Sequence, residues 1–130
     1  APGEIVTEIL VPKSSACGKT SFVKLGARKY LVISIAMAAA RLAVDDRGFI
    51  TAAAISVGAC SAVARRLGGV ENKLIGRPTS SETFTDITGS DLHELTPIDD
   101  VRAPAEYRLD AAAELVRRAL LGCLGLEGQR

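Results

Sequence analysis

The chain has 130 residues with 16 basic and 15 acidic side chains, and its formal net charge of +1 does not favour a polyanionic partner. Aromatic residues make up only 4% and tryptophan is absent, so nucleic-acid binding by base stacking is not expected. No apolar run reaches the length of a membrane span without a charge. These properties predict a single domain, residues 1–130, with its own core and with no nucleic-acid or membrane partner.

The sequence contains three cysteines, Cys17, Cys60 and Cys123, which lie far apart in the chain. No two have the spacing of metal ligands, and an odd number does not build a disulfide framework. We expect small buried thiols in a reducing compartment. Since no signal peptide is visible either, the pattern predicts a cytoplasmic protein.

The first predicted element is a strand over residues 4–11, EIVTEILV, which is rich in β-formers and ends at Pro12. The chain enters this pattern abruptly, as at a cut or a domain boundary. Further on, Gly18-Lys19-Thr20 resembles the end of a phosphate-binding loop. That motif needs a glycine five residues before the Gly-Lys pair, but position 13 is lysine, so we reject a phosphate loop.

The central stretch of the sequence predicts a hairpin. Residues 21–25 form a second short strand, and a basic turn follows at 26–29. The apolar run 31–44 is expected to be buried. An Asp/Gly turn at 45–48 separates it from a second apolar run, 49–57, and such a pair is typical of an antiparallel hairpin. The many alanines predict a sheet face pressed close against helices.

Helices are predicted in the second half of the chain. Residues 62–76 form a short helix on the apolar stripe of Val70, Leu74 and Ile75, which Pro78 ends. A weakly amphipathic helix is expected over residues 79–95, with Ser80 or Ser81 as its cap.

The last helix has the clearest pattern. Its apolar residues recur at three- and four-residue steps: Leu109, Ala112, Ala113, Val116, Ala119, Leu120, Cys123 and Leu124. Residues 126–130 are expected to be a loose tail. The fold class that follows is α+β: a small antiparallel sheet of three to four strands packed against about three helices, in a two-layer sandwich.

No set of residues in the sequence makes a complete active site. The lone His93 is expected to be solvated or to cap a helix, because no cysteine or carboxylate cluster accompanies it. From the residues alone, the chain is an α+β domain that belongs to something larger.

Five short motifs resemble one family in order along nearly the whole chain. They are GEIVTEI with VP at 3–12, KLGARK with ISIA at 24–36, SVGA at 56–59, ENKLIGRP at 71–78, and PIDDVR with EYR at 97–108. Together they are similar to the C-terminal domain of the FAD-binding (medium) subunit of molybdenum hydroxylases, the xanthine dehydrogenase and carbon monoxide dehydrogenase type. Two features of this chain depart from the family pattern. The acidic residue that the family often has before the long strand is missing, and residues 60–64 stand where the family has prolines after the Gly-Ala turn.

The resemblance implies an electron-transfer complex. In it, electrons pass from molybdenum through 2Fe-2S clusters to FAD and then to an acceptor. Molybdopterin and the clusters lie on partner chains, a large and a small subunit. FAD is held mainly by glycine-rich loops of the N-terminal domains of the same subunit, and this chain has no such loop. The chain would help to close the flavin site and pack against partner subunits, without a complete active site of its own.

The resemblance also assigns two cofactor-binding residues, Lys24 and Val6. Lys24 aligns with a lysine that approaches the flavin, where a cation favours the reduced ring; the alternative is an ordinary outward-facing strand lysine. Val6 aligns with an apolar flavin neighbour, and core packing explains it equally well. Tyr107 and Arg108 are expected to lock the last helix to the sheet. The alternative function is a stand-alone interaction or dimerisation module without a redox role.

Overall fold

The structure is a computed structural model that describes residues 2–29 and 31–125. Short 3₁₀ turns occupy Lys13–Ala16 and Gly89–Asp91. The strands are β1 (Lys19–Gly26), β2 (Ser34–Val44), β3 (Ile50–Gly58) and β4 (Arg65–Arg66); the helices are α1 (Gly68–Leu74), α2 (Ser81–Thr85) and α3 (Ala105–Cys123).

The four strands form one antiparallel sheet in the order β1-β2-β3-β4, which confirms the predicted α+β class. The predicted hairpin is β2 and β3. Its turn is built by Asp45, whose carboxylate accepts hydrogen bonds from the backbone N–H groups of Arg47 and Phe49 at 3.0 and 2.8 Å. Gly48 has a φ of +83°, a left-handed conformation that glycine adopts at little cost.

The core lies between the inner face of the sheet and α3. On β2, Ala36, Ala38, Ala40 and Leu42 alternate towards this face and are buried. Small side chains let the helix approach the strand closely: the Cys123 thiol lies 3.4 Å from the carbonyl oxygen of Ala40. The predicted close packing of an alanine-rich sheet against a helix is therefore confirmed.

Helix α3 follows the predicted stripe, with Ala112, Val116 and Leu120 fully buried. Two further buried residues lie outside the stripe, Leu115 and the charged Arg108. The predicted tail at residues 126–130 lies outside the described residues.

Three predicted elements are wrong in part. Residues 4–11 form no strand, and their β-forming side chains are exposed; strand propensity produces a strand only where a neighbour offers hydrogen bonds. The helix expected over 62–76 begins only at Gly68, because Arg65 and Arg66 pair with β3 as β4. The helix expected over 79–95 is the five-residue α2, capped by Ser80; a separate turn capped by Thr88 and Asp91 follows.

Other expectations concern single residues. Cys60 and Cys123 are buried as predicted, whereas Cys17, in the loop before β1, is exposed. Leu31 was expected in a buried run but is 97% exposed. Among residues 2–29 and 31–125, no helix is both long and apolar enough to cross a bilayer. Within the same ranges, no His, Cys, Asp and Glu side chains group as a metal site requires.

We predict that Leu120→Ala lowers the free energy of unfolding by about 2–5 kcal/mol, because it leaves a cavity between α3 and the sheet. Chemical denaturation measures the change. The control, Leu31→Ala, removes an exposed leucine and should change stability by no more than about 0.5 kcal/mol. A cost for Leu120→Ala as small as that of the control would contradict the docking of α3.

Candidate functional site

The candidate site lies on the outer face of the sheet, opposite α3. The strand register brings Lys24 of β1, Met37 of β2 and Gly58 of β3 into one line across three strands. We call these three residues the lysine row. Their side chains point away from the core because successive residues of a strand face opposite sides of the sheet.

Lys24 is exposed, and its ammonium donates a hydrogen bond to the carbonyl oxygen of Val32 at 2.8 Å. Val32 belongs to the connection between β1 and β2, which contains the basic turn. The ammonium therefore stands at the end of the sheet, above the point where the strands meet this turn.

A β-bulge lies directly behind the lysine. Leu25 pairs with Ala36 and Gly26 pairs with Ser34, so Ile35 has no partner in β1. An extra residue of this kind bends the strand and re-aims nearby side chains. Here the bulge marks the place where the chain turns from β1 to β2 beside Lys24.

Met37 and Gly58 fit together closely. A Cβ atom at Gly58 would overlap the terminal methyl group of Met37, so the missing side chain leaves the space that the methionine fills. The Met37 sulfur also lies 3.8 Å from the Ser34 hydroxyl. Neither Met37 nor Gly58 is predicted as a site residue from the sequence, because the predicted hairpin is β2–β3 and the register between β1 and β2, which contains a bulge, is not evident from the local pattern.

A shallow depression of about 450 Å³ continues the outer face away from the lysine row. Phe22, which is 61% exposed, forms one side, and Ala39 and Ala54 lie on the floor. Arg41 and Arg66 complete it; the Arg66 guanidinium is paired with the Glu71 carboxylate at 2.7 Å. The outer face is thus mainly small and apolar, with cations at its borders.

A second depression, of about 490 Å³, lies beside the basic turn. It is lined by Arg28 and Arg102 and by the exposed side chains of Leu31, Ile33 and Val101. This second depression lies between the basic turn and the loop that precedes α3.

The structure does not bring Val6 into this face. Val6 is 81% exposed in the segment before β1, so it is not packed in the core, and it lines neither depression. Of the two predicted cofactor residues, Lys24 is the one that lies on the sheet, where it is in register with Met37 and Gly58.

A buried guanidinium supports the lysine row from beneath. Arg108 is 3% exposed and donates hydrogen bonds to the carbonyl oxygens of Ile35 at 2.6 Å and Ala59 at 3.2 Å. It also pairs with the Asp100 carboxylate at 2.6 Å. The predicted lock between the last helix and the sheet is confirmed for Arg108, whereas Tyr107 is 50% exposed.

Asp100 is held as a carboxylate by several donors. The backbone N–H of Arg102 donates to it at 2.8 Å, and the side chains of Arg108 and Arg102 donate at 2.6 and 2.7 Å. These bonds hold the pKa of Asp100 well below its usual range. The loop before α3 is thereby tied to Arg108 by a charge that persists at any ordinary pH.

The described residues offer no cradle for a diphosphate. Gly18-Lys19-Thr20 enters strand β1 and not a helix, which agrees with the rejection of a phosphate loop. The glycine pair Gly68-Gly69 opens α1, but the Glu94 carboxylate already accepts the Gly69 N–H at 2.9 Å. The outer face itself can receive one side of a flat apolar group next to a cation.

Comparison with known proteins defines the class of this domain. Residues 21–123 match the family model of the CO dehydrogenase flavoprotein C-terminal domain. The matched range contains all three helices, the lysine row and all four strands; only the first two residues of β1 lie outside it. The chain belongs to this family, which confirms the resemblance drawn from the motifs.

Two relatives of the chain are, by name, subunits of dehydrogenases. The chain is 33% identical over 81 residues to the nicotinate dehydrogenase FAD-subunit of Eubacterium barkeri, covering 62% of this chain and 27% of that protein. It is 28% identical over 123 residues to the 6-hydroxypseudooxynicotine dehydrogenase complex subunit alpha of Paenarthrobacter nicotinovorans, covering 95% of this chain and 41% of that protein. The chain thus spans less than half of either relative.

Solved structures share the fold. The crystal structure of quinoline 2-oxidoreductase from Pseudomonas putida 86 aligns with a TM-score of 0.74 and 25% identity, covering 83% of this chain and 38% of that one. Carbon monoxide dehydrogenase from Hydrogenophaga pseudoflava aligns with a TM-score of 0.73 at 20% identity, covering 85% and 38%, and supports the fold alone.

We predict that Asp100→Asn flattens the acid limb of the stability profile. A carboxylate whose folded pKa is depressed contributes stability above its unfolded pKa of about 3.9, and that stability is lost as pH falls further. Denaturation between pH 7 and pH 2 should show lower stability of the variant at neutral pH and a shallower decline below about pH 4. Asp46→Asn, in the exposed β2–β3 turn, is the control; an acid limb unchanged by Asp100→Asn would contradict the role assigned to Asp100.

Proposed function

We propose that this chain acts as the C-terminal domain of the FAD-binding subunit of a molybdopterin-containing hydroxylase, with Lys24 at the flavin. The observation that carries the proposal is the exposed Lys24 ammonium at the end of an apolar sheet face, in a chain that belongs to the flavoprotein C-terminal domain family. The names of the relatives, a FAD-subunit and a dehydrogenase complex subunit, support it.

The residues fit one side of a flavin ring. FAD, when bound, would supply the acceptance and onward transfer of electrons. Lys24 would place a fixed positive charge at the ring and so favour its electron-rich state. The hydrogen bond to Val32 would orient the ammonium, and the Met37 side chain over Gly58 would exclude water beside it.

Other parts of the flavoprotein would hold the remainder of the cofactor. The diphosphate would bind the N-terminal FAD-binding domains of the subunit, because the described residues offer it no cradle. Electrons would arrive from molybdenum through 2Fe-2S clusters on partner chains, the large and the small subunit. The cytoplasm, expected from the cysteine pattern, is part of the same proposal.

The exposed apolar segment before β1 favours a second candidate function. Ile5, Val6, Ile9, Leu10 and Val11 are each at least 70% exposed. Such a run of apolar side chains is typical of a binding surface. It would serve as the binding surface of a stand-alone interaction or dimerisation module without a redox role, and flavin-dependent tests separate this function from the first.

We predict that the purified 130-residue chain is colourless and does not retain FAD in gel filtration. The reason is that the described residues offer no diphosphate cradle, so binding would depend on the outer face alone and would use only one side of the ring. Absorbance at flavin wavelengths and isothermal titration with FAD measure this. A stoichiometric yellow complex would show that the chain holds the cofactor without other domains.

We predict that Lys24→Met lowers the flavin midpoint potential in the assembled flavoprotein. The substitution keeps an apolar stem and removes the charge. A fall of about 30 mV is expected, equal to roughly 1.4 kcal/mol for a two-electron couple. Spectroelectrochemical titration measures the potential, and the molybdenum half-reaction should stay unchanged.

The matched control is Lys19→Met. Lys19 is also exposed on β1 but lies five residues away, about 17 Å along the strand, so its charge acts only weakly on the same group. Equal potentials in wild type and Lys24→Met, at full FAD content, would leave Lys24 an ordinary solvated strand residue.

A further inference from the structure

Two hydrogen bonds of Arg108 reach the strand ends that carry the lysine row. Its guanidinium Nη1 donates to the carbonyl oxygen of Ile35 at 2.6 Å and to that of Ala59 at 3.2 Å. Ile35 lies two residues before Met37 in β2, and Ala59 follows Gly58 at the end of β3. One side chain of α3 therefore holds both strands next to the row.

Both of these strand ends are irregular. Ile35 is the extra residue of the β-bulge and has no partner in β1. Ala59 has a φ of +65°, a left-handed conformation that a non-glycine residue adopts only where its surroundings stabilise it. Strand pairing does not fix the backbone conformation of Ile35 or Ala59. The hydrogen bonds from Arg108 fix it instead.

The effect of these bonds extends to Lys24. The acceptor of the Lys24 ammonium is the carbonyl oxygen of Val32, three residues before Ile35. A shift of the bulge at Ile35 would move the Val32 carbonyl, which precedes it in the chain. It would also move Met37, which follows it and whose side chain fills the space at Gly58. The position of the ammonium thus depends on where the bulge is held.

We propose that Arg108 is a positioning residue for Lys24: it fixes the bulge at Ile35 and the left-handed Ala59, and so determines where the ammonium stands on the outer face. The geometric part concerns this chain alone. Its consequence for the flavin rests on the proposed function.

Met37 provides a direct probe, because it is the single methionine of the sequence and belongs to the lysine row. In the chain labelled with ¹³C-methyl methionine, Arg108→Lys should shift or broaden the Met37 methyl resonance. Lysine keeps the charge but cannot donate to several acceptors in the fork geometry of a guanidinium. Backbone amide exchange over residues 32–37 should rise about tenfold.

Two controls separate positioning from loss of stability. Arg117→Lys makes the same substitution on the same helix, where Arg117 donates to the Ile87 carbonyl and to Glu114. Leu120→Ala destabilises the core without touching the strand ends. Both should leave the Met37 resonance and the exchange of residues 32–37 near wild type when compared at equal fraction folded. An Arg108→Lys spectrum that matches these controls overturns the proposal.

Asp100→Asn covers the case in which Arg108→Lys does not fold. It removes the charge that anchors the guanidinium and leaves the arginine donors in place. A shift or broadening of the Met37 methyl resonance relative to wild type supports the proposal, and an unchanged resonance overturns it.

The potential of the assembled flavoprotein tests the consequence. Arg108→Lys should shift the flavin midpoint in the same direction as Lys24→Met, whereas Arg117→Lys should not. If Lys24→Met shifts the potential and a folded Arg108→Lys does not, the positioning role is wrong while the proposed function stands. If Lys24→Met has no effect, the proposed function of Lys24 fails, and the Met37 resonance still decides the positioning role.

Discussion

The buried guanidinium of Arg108 is the interaction on which the two layers of this domain depend. Placing a charge in the core is costly unless it is paired and its donors are used. Here Asp100 supplies the opposite charge, and carbonyl oxygens of Ile35 and Ala59 accept further hydrogen bonds. Because loss of Asp100 would leave the buried guanidinium without its opposite charge, the loop before α3, the helix and two strand ends are held together as one unit.

The alanines of β2 and β3 serve both faces of the sheet. On the inner face they let α3 approach until the Cys123 thiol contacts the backbone of β2. On the outer face the same small side chains leave a flat, mainly apolar surface bordered by Lys24, Arg41 and Arg66. The two-residue period of a strand makes this possible, because neighbouring alanines belong to different surfaces.

In the proposed function, the outer face is only a part of a cofactor site. The chain spans 27% and 41% of the two relatives named above. It presents a cation and an apolar surface but, in the residues described, no diphosphate cradle. In the proposed function, this domain supplies one wall of a cofactor site whose other walls belong to further domains.

Local sequence determined much of this protein. The β2–β3 hairpin follows from two apolar runs around Asp45 and Gly48, and α3 follows from its apolar stripe, because turns and amphipathic helices depend on neighbours close in the chain. The local pattern also predicted that Lys24 lies on a strand, although it did not decide whether this lysine is merely solvated or has a function.

Only the tertiary structure decided the remainder. The β-formers of residues 4–11 predicted a strand, yet a strand needs a partner that local propensity does not reveal, and the segment is exposed. The row of Lys24, Met37 and Gly58 depends on the register of three strands. The acceptors of Arg108 lie up to 73 residues away in sequence, at backbone groups that every residue type carries. The motif resemblance predicted that Arg108 locks α3 to the sheet, but the packing of the two layers decides which backbone groups accept its hydrogen bonds.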